Sequence, residues 1–447
     1  MSSPLTVSRG SAMYVGALLG PGLLMLPGLT AAVAGPASVL TWAALLVLSG
    51  LLGWVFAALG IRMPSASGVQ GYVALGLGRR ASVATSWSFL AGIIAGAPIV
   101  CVIGGGYVAE LAGAGRVTAC LIAAVILVAV LVITSRGLRT SSTVQFGLVL
   151  LLLAVVAISV VGGAFAAHAE NWTPFAPHGW AAAGSAAAPL MLSFVGWEAA
   201  APLTARLTNP RRQLPRIVAI TLAVTSLLYL SLAAVTVAAL GPDAGSSTPV
   251  AKLLVLAVGP AGVVLASVSA VVLTIGTINA YVSGAATLAR TLTSHDEDLD
   301  TPPRWLNVAI LGSGGVLISL LGAGVLELES LVAVPSAMFL VVYLGCTAAA
   351  WKLLSGGVRV AAAAAFVIVL AILAFTATAA VPAVAVAVVA WLASLRRTPG
   401  VVAETDRAGR HRDAGQEARQ AVAGHHEGDD DEQQRDGHPL RDGVRAE

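Results

Sequence analysis

Twelve apolar stretches of the sequence are each about long enough to cross a lipid bilayer as a helix. A membrane-spanning helix needs about 20 predominantly apolar residues. The chain is 57% hydrophobic and 11% charged, whereas soluble globular domains carry about 25% charged residues. These features predict an all-α polytopic membrane protein. The predicted spans are residues 11–34, 37–60, 83–110, 117–134, 144–166, 184–204, 216–240, 259–289, 305–323, 327–351, 359–376 and 378–395.

The basic residues of the chain predict its orientation. Loops on the cytoplasmic side of a membrane carry an excess of lysine and arginine. With the N-terminus inside, the external loops contain Arg116 and Lys252, and all other basic residues before the C-terminal tail lie in or beside internal loops. Both termini are therefore predicted to be cytoplasmic. The internal basic residues are Arg9, Arg62, Arg79, Arg80, Arg136, Arg139, Arg206, Arg211, Arg212, Arg216, Arg290, Arg304, Lys352, Arg359, Arg396 and Arg397.

Composition also separates a membrane domain from two polar ends. We predict a cytoplasmic N-terminal tail over residues 1–10, a transmembrane domain over 11–397 and a cytoplasmic tail over 398–447. The last segment is polar and cannot bury enough apolar surface to fold, so we expect it to be disordered. Residues 247–258 are apolar but too few to span, which predicts a surface or re-entrant helix on the outer side.

The first span contains residues that interrupt helices. Gly20, Pro21, Gly22, Pro27 and Gly28 all lie within it. Proline has no N–H to donate, and glycine adopts almost any φ. Because lipid offers no hydrogen-bond partners, broken backbone persists at membrane depth only where it is buried in protein or lines a cavity. The span therefore predicts a discontinuous helix whose freed N–H and C=O groups face a binding site, with a simple Pro/Gly kink as the alternative.

A second interrupted segment lies in the sixth span. Gly196 is near its middle and Pro202 is near its end, and Glu198 is an acidic residue well inside the span. An ionisable group at that depth is costly and usually faces a cavity or a partner. Glu198 is thus predicted to have a functional role, and a structural carboxyl bonded to a neighbouring helix is the alternative.

The positions of the two interruptions predict an inverted repeat. Interrupted segments at corresponding places in two halves indicate a midplane site in a secondary transporter. Repeat one covers about residues 11–166, repeat two covers about 184–351, and the helices at 359–395 are additions. This prediction rests on position, since the two halves share no clear residue pattern.

The breaks predict the charge of the ligand. A half-helix N-terminus presents free N–H groups and the positive end of a dipole, which suit a carboxylate. Carbonyl groups freed at the other break suit an ammonium group. We find no Lys or Arg well inside a span to match an anionic substrate, and one carboxyl is too little for a cationic one. A zwitterionic amino acid with an apolar side chain is the consistent substrate, and Phe194 and Trp197 would contact that side chain.

Other classes of function are less consistent with the sequence. The spans hold no His, Lys or clustered acid that would make a catalytic or metal site, so we predict a protein that is not an enzyme, without metal or cofactor. Cys101, Cys120 and Cys346 lie in apolar runs and indicate small buried residues. A channel would need a continuous polar pore, and a sensor would need a signalling domain. The short connection 205–215 disfavours the twelve-span facilitator fold.

Three stretches resemble the amino acid–polyamine–organocation superfamily of permeases. They are Phe194-Val-Gly-Trp-Glu198, the following Asn209-Pro-Arg-Arg-Gln-Leu-Pro-Arg216, and the loop Met63-Pro-Ser-Ala-Ser-Gly-Val-Gln-Gly-Tyr72. Together with Ile278-Asn-Ala-Tyr281, they look most like the bacterial methionine and branched-chain amino acid exporters. The resemblance implies a leucine-transporter-like fold of five plus five inverted helices with broken helices 1 and 6, followed by helices 11 and 12.

The resemblance also implies where the substrate binds. Glu198 is expected beside the site as a gating or proton-sensitive carboxyl. Pro21 departs from the usual Gly-Ser/Thr-Gly motif and removes one N–H from the predicted carboxylate contact. The expected substrate-binding residues are Leu19, Gly20, Pro21, Gly22, Leu23, Leu24, Ser193, Phe194, Val195, Gly196, Trp197 and Asn279.

These observations predict a secondary transporter of neutral hydrophobic amino acids in the bacterial cytoplasmic membrane. Methionine, leucine, isoleucine and valine are the expected substrates, exported by alternating access with protons as the coupling ion. The lipid bilayer is its expected surrounding, and nucleic acid is not an expected partner. An uptake permease or exchanger of the same fold, or a non-transporting amino acid sensor, remains open, and the oligomeric state is not predicted.

Overall fold

A computed structural model describes residues 6–63, 68–137, 142–199, 204, 207–293, 302–376 and 379–396. These residues form helices and turns, and no strand occurs among them. The chain divides into two compact units, Met1–Leu392 and Ala393–Glu447, and the described part of the second is the end of the last helix. The predicted disordered tail over 398–447 lies outside the described residues, as do residues 1–5.

Fifteen α-helices make up most of the described chain. They are α1 (Val7–Leu18), α2 (Gly22–Ala34), α3 (Ser38–Arg62), α4 (Gly68–Leu77), α5 (Arg79–Leu111), α6 (Arg116–Ser135), α7 (Ser142–Phe165), α8 (Trp180–Leu190), α9 (Pro210–Leu240), α10 (Pro249–Val258), α11 (Ala261–Thr293), α12 (Arg304–Gly322), α13 (Leu328–Leu353), α14 (Gly357–Phe375) and α15 (Ala380–Arg396).

The described helices overlap the predicted spans. Nine described stretches are long and apolar enough to cross a membrane, judged by length and composition, and the first of them joins α2 and α3. Three shorter apolar helical stretches accompany them, at Trp180–Phe194, Pro249–Val258 and Ala380–Leu395. The chain is therefore a multi-pass membrane protein. The full count of twelve crossings stays a prediction.

The first span is interrupted at one place. Helix α1 begins at Val7, earlier than the predicted start at residue 11, and Thr6 accepts a hydrogen bond from the Arg9 N–H at 3.5 Å. It ends at Leu18, and Leu19 is extended with φ −82° and ψ 94° before α2 begins at Gly22. The predicted break at Gly20, Pro21 and Gly22 is confirmed.

The second pair of helix-breaking residues does not interrupt the span. Pro27 and Gly28 lie inside α2, which continues to Ala34, so the expectation that they break the backbone was wrong. Both residues are buried. Proline removes one N–H from the helix ladder, and a helix packed on its neighbours tolerates this loss.

The break in the sixth span is also confirmed. Helix α8 ends at Leu190, and a 3₁₀ turn over Met191–Phe194 follows it. Val195 is then extended, Gly196 has φ +142°, and a second 3₁₀ turn covers Trp197–Ala199. Residues with a Cβ rarely adopt such a φ, so glycine is required here.

Two short helices complete the packing. Helix α10 lies where residues 247–258 predicted a short helix, but it buries Val250, Ala251, Leu253 and Leu254 and contacts α7 and α11. It also exposes Leu256 and Val258, and its position as a surface or re-entrant helix on the outer side stays a prediction. Helix α4 was not predicted, and it packs against α5 and α13. All three cysteines are free and buried, as predicted.

Candidate functional site

The two helix breaks lie against each other. A Cβ atom on Gly196 would be 2.7 Å from the carbonyl oxygen of Ala17, near the end of α1. A Cβ atom on Gly22, at the start of α2, would be 3.5 Å from Ser193 Oγ. The structure thus brings together the two predicted segments, which are about 170 residues apart in the chain.

The break in the first span leaves amide donors free. Leu19 N–H donates to Val15 O at 2.8 Å, and Leu23 N–H donates to Gly20 O at 3.1 Å. Among the described residues, the N–H groups of Gly20 and Gly22 have no hydrogen-bond partner within the protein. These two donors lie at the positive end of the α2 dipole, a position that favours an anion.

A free hydroxyl lies beside these amides. Ser193 Oγ is buried and has no hydrogen-bond partner among the described residues. Buried polar atoms are nearly always bonded to protein, water or ligand. Ser193 and the free amides of Gly20 and Gly22 therefore form a small group of unused donors where the two breaks meet.

Glu198 lies next to this group and is bonded by neutral donors. Its Oε2 accepts a hydrogen bond from the Gly196 N–H at 3.0 Å and one from the Tyr343 hydroxyl at 3.1 Å. The ion pairs found among the described residues, Arg116–Glu327 and Lys252–Asp243, do not include it. A carboxyl held by neutral donors is free to gain and lose a proton without breaking an ion pair.

Three buried tyrosines bond to the carbonyl groups around the breaks. Tyr107 donates to Leu24 O at 2.6 Å, and Tyr343 lies 3.1 Å from Phe194 O. The Tyr229 hydroxyl lies 2.9 Å from Leu18 O and 2.8 Å from Ser193 O. Sequence reasoning missed all three, because an isolated tyrosine in an apolar helix does not indicate which carbonyl its hydroxyl reaches.

The two predicted aromatic residues form the walls of the break. Phe194 is 2% exposed, and its ring centroid is 6.0 Å from that of Trp42 and 5.3 Å from that of Tyr229. Trp197 is fully buried, and its Nε1–H donates to Ser49 Oγ at 2.8 Å. Both rings are thus held by neighbouring helices.

The remaining predicted residues are also buried. Leu23 and Leu24 are each 1% exposed, and Val195 is 2% exposed. Asn279 is buried in α11, which packs against α5, α6 and α7. The described residues contain no group of three or more His, Cys, Asp or Glu side chains that could hold a metal ion.

Comparison with known proteins identifies the family. A family model described as amino acid permease matches residues 5–298. The uncharacterized amino acid permease YecA of Bacillus subtilis (strain 168) is 30% identical over 361 residues, which cover 78% of this chain and 85% of that protein. The L-methionine/branched-chain amino acid exporter YjeH of Escherichia coli (strain K12) is 30% identical over 376 residues, covering 81% and 89%.

A third relative matches about half of each chain. The branched-chain amino acid permease BcaP of Bacillus subtilis (strain 168) is 27% identical over 241 residues, 49% of this chain and 51% of that protein. These relatives are permeases and an exporter and not enzymes, in agreement with the prediction from the sequence. The chain belongs to the amino acid permease family, within the superfamily that its sequence motifs resemble.

Proposed function

We propose that this permease exports neutral hydrophobic amino acids, namely methionine, leucine, isoleucine and valine, driven by the proton gradient. The observation that carries the proposal is the contact between the two breaks, where Gly20, Gly22 and Ser193 offer unused donors. The relatives YjeH, a methionine/branched-chain amino acid exporter, and BcaP, a branched-chain amino acid permease, agree with this substrate class.

The substrate carboxylate would bind at the start of α2. The N–H groups of Gly20 and Gly22 and the Ser193 hydroxyl can each donate one hydrogen bond to it. Hydrogen bonds to a charged acceptor are about twice as strong as neutral ones, and the helix dipole adds to them. The absence of an N–H on Pro21 leaves this set with two backbone donors in place of three.

The ammonium group would bind on the opposite side of the break. Carbonyl oxygens of the extended segment at Val195 and the carboxyl of Glu198 are the acceptors available there. The apolar side chain would then lie among buried residues such as Phe194 and Leu23. A charged side chain would have no counter-charge in these surroundings, which favours the neutral substrates.

Glu198 would link proton binding to the conformation of the break. Its Oε2 accepts hydrogen bonds from the Gly196 N–H and the Tyr343 hydroxyl. Protonation weakens both bonds, because a neutral carboxyl is a poorer acceptor. The turn at Gly196 would then be free to change, and alternating access would follow from movement of one helical bundle against the other.

The membrane topology is part of the same proposal. Twelve crossings with both termini in the cytoplasm would place the basic loops inside. The break between α1 and α2 and the break after α8 would be equivalent positions of repeats 11–166 and 184–351. The cytoplasmic tails over 1–10 and 398–447 would lie outside the transmembrane domain over 11–397.

Transport by purified protein in liposomes tests the function. Uptake of labelled L-leucine and L-methionine is measured with and without an imposed pH gradient. We expect the gradient to stimulate uptake, and we expect Glu198→Gln to abolish the stimulation while leaving exchange of internal for external leucine. Glu110→Gln is the matched control, because Glu110 is exposed at the end of α5.

The same experiment separates the alternatives. Exchange without stimulation by the gradient would favour an exchanger. Uptake in the direction opposite to export, measured in oriented vesicles, would favour an uptake permease. Binding of leucine to folded protein without any flux would favour a sensor and would overturn the proposal.

A further inference from the structure

Tyr229 is bonded to both broken helices at once. It lies in α9, is 1% exposed, and its hydroxyl oxygen is 2.9 Å from Leu18 O and 2.8 Å from Ser193 O. Leu18 is the last residue of α1, and Ser193 lies in the 3₁₀ turn before the second break. Tyr107 and Tyr343 each reach a carbonyl of a single broken helix.

The two carbonyls are those that lose their helical partners at the breaks. In a continuous α-helix, Leu18 O would accept from the Gly22 N–H, and Ser193 O would accept from the Trp197 N–H. Neither bond is present among the described residues. An unbonded carbonyl in a membrane interior is unfavourable, because lipid offers it no hydrogen-bond donor. Tyr229 thus replaces, from a third helix, the hydrogen bonds that both breaks remove.

The ring of Tyr229 is held independently of its hydroxyl. Its centroid is 5.1 Å from that of Trp42 and 5.3 Å from that of Phe194, both in edge-to-face geometry. The ring therefore stays in place when only the hydroxyl is removed. A phenol has one proton to donate, so the two carbonyls share it and must both remain within reach of the oxygen.

We propose that Tyr229 is a positioning residue for transport. Its hydroxyl holds Leu18 O and Ser193 O together, so that the two broken helices move as one unit. The two helices then present their free donors to one substrate. This inference rests on the proposed transport function. The donors concerned are the Gly20 and Gly22 amides on one side and the Ser193 hydroxyl on the other. Correct spacing between them is what a single carboxylate requires.

The test compares two variants of α9 in liposomes. Tyr229→Phe removes the bridging hydroxyl and keeps the ring. Thr225→Val is the matched control, because Thr225 is buried one turn earlier and its hydroxyl bonds to Thr221 O of its own helix at 2.8 Å. Loss of one hydrogen bond that positions the donors raises the KM for L-leucine about tenfold in Tyr229→Phe, with the maximal rate within about twofold of wild type. In Thr225→Val the KM stays at the wild-type value.

A merely structural role predicts a different result. It would lower the amount of folded protein, or the maximal rate, of Tyr229→Phe without a change in its KM. An unchanged KM in Tyr229→Phe overturns the inference, and so does an equal rise in both variants. If the wild-type protein transports no neutral amino acid, the proposed function fails. If the wild type transports leucine and Tyr229→Phe has the same KM, only the inference about Tyr229 fails.

A second measurement keeps Tyr229 and so does not depend on the folding of a variant at residue 229. Spin labels are attached at Ser8 in α1 and Trp180 in α8, both exposed, after replacement of the three native cysteines. The inference predicts that the distance between the labels stays constant when L-leucine is added, because the broken helices move together. A change in that distance on adding leucine overturns it.

Discussion

Substitution of one glycine in α5 tests how closely the helices pack. Gly105 faces α6, and a Cβ atom on it would lie 2.3 Å from Ala119 O and 2.9 Å from Ala123 N. Its neighbour Gly106 has no atom within 4 Å of the same position. Gly105→Ala and Gly106→Ala therefore make the same chemical change in adjacent positions of one helix, against packed backbone in one case and open space in the other.

The expected magnitudes follow from the contacts. Ordinary contact begins at 3.4 Å, so α5 and α6 must separate by about 1 Å to admit the methyl group at residue 105. Overpacking of this kind costs about 1–3 kcal/mol. Replacing glycine by alanine inside a helix gains up to about 1 kcal/mol. We therefore expect Gly105→Ala to be less stable by about 1–2 kcal/mol, and Gly106→Ala to be unchanged or slightly more stable.

Thermal unfolding of the purified variants in one detergent measures the difference. The fraction of protein that remains monodisperse on size-exclusion chromatography is recorded against temperature. Gly105→Ala should lose its folded fraction several degrees below wild type, and Gly106→Ala at or above the wild-type temperature. Equal temperatures for the two variants would refute the close approach of α5 to the backbone of α6.

Two further predictions concern the candidate site. Trp197→Phe and Ser49→Ala each remove one partner of a buried hydrogen bond and should each lower the free energy of unfolding by about 1–3 kcal/mol; the double variant should lose less than the sum, as a double-mutant cycle in detergent would show. In liposomes, 4-methylpentanoate should inhibit leucine transport more strongly than 3-methylbutylamine, because the free groups at Gly20 and Gly22 are donors. Stronger inhibition by the amine would contradict the carboxylate assignment.

The helices were predictable from the sequence because a segment that crosses a membrane must be composed mostly of apolar residues. Each span must satisfy its own backbone and match the bilayer, so long apolar runs such as those of α6 and α7 predict helices directly. The first break was predictable because Gly20, Pro21 and Gly22 together weaken the helix ladder, and the second because Gly196 lies beside an acidic residue at membrane depth. Pro27 was misleading, because the sequence does not show that α2 is packed on its neighbours.

The candidate site was predictable only in its backbone. The segments at Gly20–Gly22 and Val195–Gly196 follow from local chemistry, and Glu198 stands out as a carboxyl among apolar residues. The tyrosine contacts depend on tertiary packing, since Tyr229 reaches Leu18 across 211 positions of the chain. Helix α4 was missed because residues 68–77 are too short and too mixed in composition to give a membrane signal.

The pattern of used and unused groups at the breaks bears on how the proposed site, whose ionisable side chain is Glu198, would select its substrate. The carbonyls of Leu18, Ser193 and Phe194 already accept hydrogen bonds from phenol hydroxyls, whereas the amides of Gly20 and Gly22 have no partner among the described residues. Under the proposed function, a carboxylate bound to these amides would displace no protein group, and preorganised donors lose little freedom when a ligand binds. The ammonium group would bind the carbonyl of Val195 and the carboxyl of Glu198, so the Tyr229 bonds to Leu18 O and Ser193 O would stay in place.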